Sequence, residues 1–170
     1  MLNPILQFEA QFLRKLNLII SKLEKDAECE EYFGYNIYVN KVRFKFRKSK
    51  ITPKKVGQFV TLWKRNQQNI TIPFDENDDF DYYIIASEDD EKSGYFIFPK
   101  SILIEKNILS TKLKDGKRGF RVYPNWVITT NKQAQKTQYW QQQYFFEIKN
   151  EKIITSIELE KILLQIKKGA

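Results

Sequence analysis

Histidine is absent from the 170 residues of this chain, and cysteine occurs once, as Cys29. Without an imidazole, the chain excludes a Ser-His-Asp triad, a Cys-His pair and every histidine-ligated metal site. A lone cysteine excludes an intrachain disulfide and a zinc site built from several thiolates. Any catalysis must therefore use carboxylates, lysines, tyrosines or Cys29.

Long apolar runs are also missing, because no stretch approaches the roughly 18 uninterrupted apolar residues of a membrane span. The first residues lack the basic start and the unbroken apolar run of a secretory signal, since Glu9 interrupts them. We therefore expect a cytoplasmic protein with no membrane partner. A hydrophobic fraction of 42% and an aromatic fraction of 15% exclude global disorder. This chain length favours one domain over residues 1–170.

Amphipathic helices are predicted near both ends of the chain. Asn3 and Pro4 are typical of a helix start, and apolar residues then recur at three- and four-residue steps, which predicts a helix over residues 4–25. A capping-box signal predicts a final helix over residues 155–168. A further helix is expected over residues 132–146. These helices would flank the rest of the fold.

The sequence between the helices alternates apolar and polar residues, which predicts strands. Residues 35–39 and 42–47 form the clearest hairpin, and its second strand has one apolar and one wholly cationic face. Further strands are expected at residues 58–63, 81–86, 95–98 and 119–123. Helix, strands and helices in this order, without a linker, predict a single α+β domain with a mostly antiparallel mixed sheet flanked by N- and C-terminal helices.

The formal net charge of +8 is unevenly distributed along the chain. Residues 41–65 hold ten basic residues and no acid, whereas residues 75–91 hold nine acids and no base. Residues 116–146 again lack any acid. Each tract is either a solvated face or part of a surface that binds an anion.

Aromatic and amide side chains are interleaved with these cations. Tryptophan or tyrosine lies close to lysine or arginine at Trp63, Tyr123, Trp126 and Trp140, and seven Asn or Gln residues follow between positions 131 and 143. Cations neutralise phosphates, aromatic rings stack on bases, and amides hydrogen-bond to bases or backbone. This combination favours nucleic acid over a membrane surface, which has no use for amides. The alternative is that the aromatics fill the core.

Six stretches between about residues 31 and 146 carry long and distinctive motifs. They are KITPKKVGQFVTLWKR from Lys50, PFD from Pro73, DFDYYII from Asp79, FPKS from Phe98, GKRGFRVYP from Gly116, and NKQA with KTQYWQ between Asn131 and Gln141. In these stretches the chain resembles the MepB family of bacterial proteins, whose founding members are encoded beside a multidrug efflux pump. The resemblance implies a restriction-endonuclease-like fold, DNA as the ligand, and one surface shared by the first and last of the long motifs.

The first hypothesis is therefore a MepB-like nucleic-acid-binding protein, with DNA as the expected partner and no cofactor required for binding. Three kinds of contact are expected. The phosphate contacts are Lys50, Lys54, Lys55, Lys64, Arg65, Lys117, Arg118 and Arg121. The stacking residues are Trp63, Tyr123, Trp126 and Trp140. The hydrogen-bonding amides are Gln58, Asn131, Gln133 and Gln138.

The second hypothesis is a Mg²⁺-dependent nuclease of the restriction type, in which carboxylates hold the metal and a lysine stabilises the reacting phosphate. Asp81 and Lys100 are the candidate catalytic residues, and Glu31, Asp79 and Asp81 the candidate metal ligands. The acid expected two residues before Lys100 is replaced by Phe98, which favours a degenerate site that binds without cutting.

The third hypothesis is an accessory protein that binds a drug or another small molecule in an aromatic pocket. A chain with a net charge of +8 is a poor host for cationic drugs, which places this hypothesis last. The sequence does not indicate an oligomeric state.

Overall fold

The fold is given by a computed structural model, which describes residues 3–90, 92–149 and 152–169. Helices and strands are numbered in chain order. The helices are α1 (Pro4–Phe8), α2 (Lys100–Glu105), α3 (Lys132–Gln141) and α4 (Ile157–Gly169). The strands are β1 (Lys22–Lys25), β2 (Tyr35–Val39), β3 (Val42–Lys48), β4 (Lys50–Thr52), β5 (Lys55–Thr61), β6 (Trp63–Arg65), β7 (Thr71–Pro73), β8 (Tyr82–Asp89), β9 (Lys92–Pro99), β10 (Gly119–Val122), β11 (Phe145–Lys149) and β12 (Lys152–Ile154).

The main sheet has seven strands in the order β1-β2-β3-β8-β9-β11-β12. Its only parallel pair within the described residues is β3 with β8, and the other neighbours are antiparallel. The mixed, mostly antiparallel sheet and the single α+β domain are therefore confirmed. The predicted hairpin is also correct, and Asn40 forms its turn with a left-handed φ of 53°.

Two layers cover the main sheet. On one face, the rings of Phe8 and Phe12 pack on Tyr95 and Phe146, with centroid distances of 5.3 Å for Phe8–Tyr95 and 4.6 Å for Phe12–Phe146. On the other face lies a three-stranded sheet in the order β10-β5-β4. Phe120 of β10 contacts Tyr83 and Phe98 of the main sheet, with both centroid distances at 6.3 Å.

The N-terminal helix is shorter than the predicted residues 4–25. It continues from α1 through a π-helical turn, Glu9–Leu13, and a 3₁₀ turn, Arg14–Leu16, and then stops. Asn17 adopts a left-handed φ of 59° and donates to the Arg14 carbonyl, while Leu18 donates to the Leu13 carbonyl. This is a Schellman stop, which satisfies the last carbonyls of a helix. The following residues form edge strand β1 instead.

The predicted helix over residues 132–146 also ends early. Helix α3 stops at Gln141, and a 3₁₀ turn, Gln142–Tyr144, leads into β11. Phe145 and Phe146 then pair with Phe96 and Tyr95 of β9. Since successive residues of a strand point to opposite faces, these two aromatic side chains pack on both faces of the main sheet.

The final helix, predicted over residues 155–168, is observed as Ile157–Gly169. Its cap is Ser156, whose hydroxyl accepts from the Leu159 amide at 3.1 Å, and not Thr155. Within residues 3–90, 92–149 and 152–169, no helix has the length and apolarity needed to cross a membrane.

Of the three cations on the predicted cationic face of β3, Lys45 and Arg47 are covered, whereas Arg43 stays partly exposed. Arg47 is fully buried and bonds to the Asp26 carboxylate and, at 2.8 Å, to the Phe46 carbonyl. Lys45 is largely buried and donates to the Asn36 side chain at 3.0 Å. The second layer and the 3₁₀ helix Ala27–Tyr32 cover Lys45 and Arg47, so these two charges are matched inside the protein.

Candidate nucleic-acid interface

Strand pairing brings the two acid-free tracts together. β5, from the first tract, pairs antiparallel with β10, from the second, with Phe59 opposite Arg121. Helix α3 lies along the free edge of β10. Gln141 holds it there, since its side chain accepts from the Tyr123 amide and donates to the Arg121 carbonyl, both at 2.9 Å. The walls of one concavity therefore come from both tracts.

A cavity of about 520 Å³ lies between β10, α3 and the segment after α2. Four cations line it: Lys55, Lys106, Lys117 and Arg121. No described carboxylate is among its lining residues. Lys106 pairs with Glu105 at 2.8 Å, whereas Lys55, Lys117 and Arg121 form no ion pair with any described residue, so the cavity favours an anion.

Two further hollows adjoin this cavity and share residues with it. One includes Lys54 and Lys55, and the other includes Lys132, Lys136 and Trp140. No Asp or Glu of the described chain lines either of them. The three hollows together are called the basic groove below. Its cations are Lys54, Lys55, Lys106, Lys117, Arg121, Lys132 and Lys136.

Arg121 has a structural role as well as a place in the groove wall. Its guanidinium donates to the Thr52 hydroxyl at 2.5 Å and to the Gly57 carbonyl at 3.0 Å, which fixes the turn between β4 and β5. Gly57 has a φ of 81°, and a Cβ there would lie 2.6 Å from the ring of Tyr123. Only glycine allows this close packing of the start of β5 on Tyr123.

Two predicted stacking residues, Tyr123 and Trp140, line the groove. Trp140 is half-buried: its ring packs on Phe98, with a centroid distance of 5.3 Å, and Lys106 lies 5.7 Å from its centroid. The other two predicted stacking residues lie elsewhere. Trp63 lines a separate hollow beside the 3₁₀ helix Ala27–Tyr32, and Trp126 packs edge-on against Phe145.

The four predicted amides divide into two pairs. Asn131 and Gln133 line the groove, and Asn131 also caps α3 by accepting from the Ala134 amide at 2.8 Å. Gln58 is buried and bonds to the Ser49 hydroxyl at 2.6 Å and to the Glu88 carbonyl at 3.0 Å.

Gln138 holds the loop before α3, donating to the Pro124 carbonyl at 3.0 Å and the Val127 carbonyl at 2.7 Å. The assignment of Gln58 and Gln138 as ligand contacts is therefore corrected, because internal hydrogen bonds occupy both side chains.

Three predicted phosphate contacts line none of the three hollows, and each forms an ion pair elsewhere in the fold. The Lys64 amine lies 2.7 Å from the carboxylates of both Asp75 and Asp78. Burial by itself would lower the pKa of Lys64, but hydrogen bonds to these two carboxylates raise it overall. The other pairs are Arg65 with Glu28 at 2.7 Å and Lys50 with Glu31 at 3.7 Å.

Arg118 differs from those three residues. It is exposed and adjoins Lys117, but it lines none of the three hollows. Its main-chain carbonyl accepts from the Leu62 amide at 2.9 Å, which joins the start of β10 to the end of β5.

The predicted nuclease residues are only partly brought together. Asp79, Asp81 and Lys100 line one hollow of about 380 Å³ where β8 begins and β9 ends. Arg43 bonds to the Asp79 carboxylate, and its amide donates to Asp81 at 2.8 Å. The Lys100 amine donates to the Asp78 carbonyl. Existing bonds thus engage all three groups.

Glu31 does not join this hollow. It lies in the 3₁₀ helix Ala27–Tyr32, is strongly exposed, and pairs with Lys50. Among the described residues, no group of three or more Cys, Asp or Glu side chains has an arrangement that could hold a metal ion. The predicted three-carboxylate set of Glu31, Asp79 and Asp81 is therefore not assembled.

Sequence reasoning missed Lys106 as a groove residue. It directly follows Glu105, with which it forms an ion pair at 2.8 Å, and the packing of α2 beside Trp140 brings it into the cavity. Lys132 and Lys136 belong to the second acid-free tract but were not assigned as contacts. Their helical spacing of four residues, which places them on one face, was the available signal.

The fold and the groove define a class: a single α+β domain with a cation-lined, carboxylate-free groove between a small sheet and a helix. The sequence profile of MepB-like proteins matches residues 26–147. The crystal structure of MepB is similar, with a TM-score of 0.76, 34% sequence identity, and coverage of 89% of this chain and 100% of that chain. The protein therefore belongs to the MepB-like family, as its motifs predicted.

A bacterial homing endonuclease is a more distant structural neighbour, with a TM-score of 0.44 and 15% identity over 81% of this chain and 87% of its own. No curated protein sequence matches the chain. The restriction-endonuclease-like character of the fold stays a prediction.

Proposed function

We propose that this protein binds nucleic acid, with DNA as the first candidate, through the basic groove. The observation that carries the proposal is the composition of the groove wall, which has seven cations from separate parts of the chain and no described carboxylate. Of these cations, only Lys106 forms an ion pair with a described residue, Glu105. A nucleic acid presents phosphates at regular intervals, and binding to such a row of cations releases its condensed counterions.

The extent and chemistry of the groove favour nucleic acid over a small anion. Three adjoining hollows offer cations beyond the reach of one phosphate group, and Tyr123 and Trp140 supply rings for stacking. Asn131 and Gln133 supply amides that can hydrogen-bond to base edges or backbone. A cationic drug is disfavoured, because four positive groups line the central cavity.

Charge segregation within the fold also supports the proposal. Acids of residues 75–91 neutralise cations outside the groove: Asp75 and Asp78 pair with Lys64, and Asp79 pairs with Arg43. None of these acids lines the groove. These acids therefore leave the cations of the groove unpaired by the acidic segment.

Fluorescence anisotropy with a labelled DNA duplex at low salt tests the proposal. Lys55→Ala and Lys117→Ala each remove one groove cation, one from each acid-free tract. We expect each to weaken binding roughly 3- to 10-fold and to reduce the magnitude of the salt slope by about one.

Lys41→Ala is the matched control, since Lys41 is an exposed lysine at the β2–β3 turn and lines no part of the groove. It should bind almost as the wild type does. Equal losses in all three variants, or no binding by the wild type, would contradict the proposed function.

A Mg²⁺-dependent nuclease is the second candidate, favoured by the presence of Asp79, Asp81 and Lys100 in one hollow. Incubating labelled duplex and single-stranded DNA with Mg²⁺ or Mn²⁺ tests it, with Asp81→Asn as the control. Cleavage that Asp81→Asn abolishes would support the nuclease, and intact substrate with both metals would remove it.

A further inference from the structure

A closed loop joins α2 to β10 beside the basic groove. At its base, the Lys117 main-chain amide donates to the Ile108 carbonyl at 2.9 Å, and the Gly116 amide donates to the Ser110 hydroxyl at 2.8 Å. The backbones are so close that a Cβ on Gly116 would lie 2.5 Å from the carbonyl oxygen of Ile108. The two ends of the loop are thus fastened to each other.

Further bonds fix the upper part of this loop. Glu76 donates its amide to the Ser110 carbonyl at 2.9 Å, and its carboxylate accepts from the Lys112 amide at 3.2 Å. At the tip, the Thr111 amide donates to the Lys114 carbonyl at 2.8 Å. These hydrogen bonds hold the tip against the segment before β8.

A leucine is displayed at the tip of this ordered loop. The side chain of Leu113 is 97% exposed, the most exposed large hydrophobic residue of the described chain. Lys112 and Lys114 flank it, and residues 112–118 hold four cations against one acid, Asp115. Leu113 contributes no burial to this fold, and its cationic neighbours favour an anionic partner over an apolar protein surface.

The base of the loop forms part of the groove wall. Ile108 and Lys117, which close the loop, both line the central cavity. The loop therefore begins and ends at the groove wall, and a role for its tip in binding requires a nucleic acid lying along the groove to pass beside it.

We propose that Leu113 is a wedge that inserts between stacked bases while Lys112 and Lys114 contact the neighbouring phosphates. This inference rests on the proposed function, because it requires nucleic acid in the groove. Proteins that deform DNA insert apolar side chains between base steps in this way, and the cost of unstacking is offset by additional contacts. A wedge needs a rigid support, and the bonds that fix the loop supply it.

Two measurements on the same complex test the wedge. Anisotropy of a labelled short duplex reports binding, and the fluorescence of 2-aminopurine, placed in turn at different adenine positions, reports unstacking. With the wild type we expect fluorescence to rise several-fold on binding. Leu113→Ala should lose most of this rise, while its salt slope stays unchanged because no phosphate contact is removed. Leu113→Phe should retain the rise.

Leu164→Ala is the matched control, since Leu164 is 60% exposed on α4 and lines no part of the groove. It should behave as the wild type in both measurements. Binding without a rise at any 2-aminopurine position, or an undiminished rise with Leu113→Ala, would overturn the wedge and leave the proposed function intact. Absence of wild-type binding would overturn both.

Discussion

Cationic side chains of this protein occupy two kinds of position, either buried among polar partners or lining the open groove. Arg47 and Lys45 lie inside the fold, where Asp26 and neutral polar groups match them, whereas Lys55 and Lys117 line an open groove. The alternating sequence of β3 predicts that its cations share one face. It does not predict that a second layer covers that face, because the cover comes from residues distant in sequence.

Lys45 makes a pH-dependent contribution to stability. Burial, aided by the nearby charge of Arg47, lowers the pKa of Lys45 below its ordinary value of 10.5. Between the lowered pKa and 10.5, the unfolded chain binds more protons at this residue than the folded chain does, so the Lys45 contribution to stability rises with pH.

We therefore expect the free energy of unfolding of the wild type, measured relative to Lys45→Met, to increase as the pH approaches 10.5. Urea unfolding of both proteins at several alkaline pH values measures this difference, and other titrating groups common to both proteins cancel. A difference that is constant or falls with rising pH would contradict the account. Lys41→Met, at an exposed position, should show no such trend.

At the scale of elements, the side chain of Gln141 forms the hydrogen bonds that a neighbouring strand would otherwise form with the open edge of β10. β10 is an edge strand of the three-stranded sheet, and its outer main-chain groups at Arg121 and Tyr123 bond to the fully buried side chain of Gln141. An edge strand leaves such groups unpaired unless another element covers them. Gln141 therefore fastens α3 to β10 and fixes the width of the groove.

Gln141→Leu should be destabilising, because the Tyr123 amide and the Arg121 carbonyl lose their partners without a large change in side-chain volume. We expect a loss of about 2 kcal/mol in the free energy of unfolding, measured by urea denaturation. Gln142→Leu is the control, since Gln142 is exposed at the next position, and it should change stability little. Equal effects of the two substitutions would refute this role of Gln141.

For several helices and strands, local sequence patterns were sufficient to predict the observed structure. The hairpin of β2 and β3, strand β10 and helix α4 follow from periodicity and end signals close in sequence. The N-terminal helix was predicted to reach residue 25 because Ile19, Ile20 and Leu23 continue the apolar spacing. The left-handed turn at Asn17 overrides that spacing, and pairing with β2 then makes the following residues a strand.

At the scale of the whole molecule, sequence reasoning expected the two acid-free tracts to form one surface, and the pairing of β5 with β10 joins them. Sequence reasoning could not predict which of these cations would form ion pairs within the tertiary fold. Lys50, Lys64 and Arg65 belong to the same tract as Lys54 and Lys55, yet acids from other elements pair with the first three. Such pairings depend on three-dimensional distances, which charge counts do not contain.

Of the four predicted nuclease residues, the structure brings three together and leaves the fourth apart. Asp79, Asp81 and Lys100 were predicted as candidates from their residue types at the start of one strand and the end of the next, and the antiparallel pairing of β8 with β9 brings them to one hollow. Glu31 was added from chemistry alone, and its position in a separate 3₁₀ helix beside Lys50 separates it from them.

The salt dependence of duplex binding tests the central claim, a cation-lined groove for a polyanion, most directly. If about five phosphates are neutralised, the logarithm of affinity against the logarithm of salt should have a slope of roughly −4 to −5. Replacing Lys55, Lys117 and Lys136 together by alanine should bring the slope closer to zero by about 2 to 3. Replacing the exposed Lys41, Lys92 and Lys168, which lie outside the groove, should leave it nearly unchanged. A flat dependence for the wild type, or equal changes for both triple variants, would contradict the account.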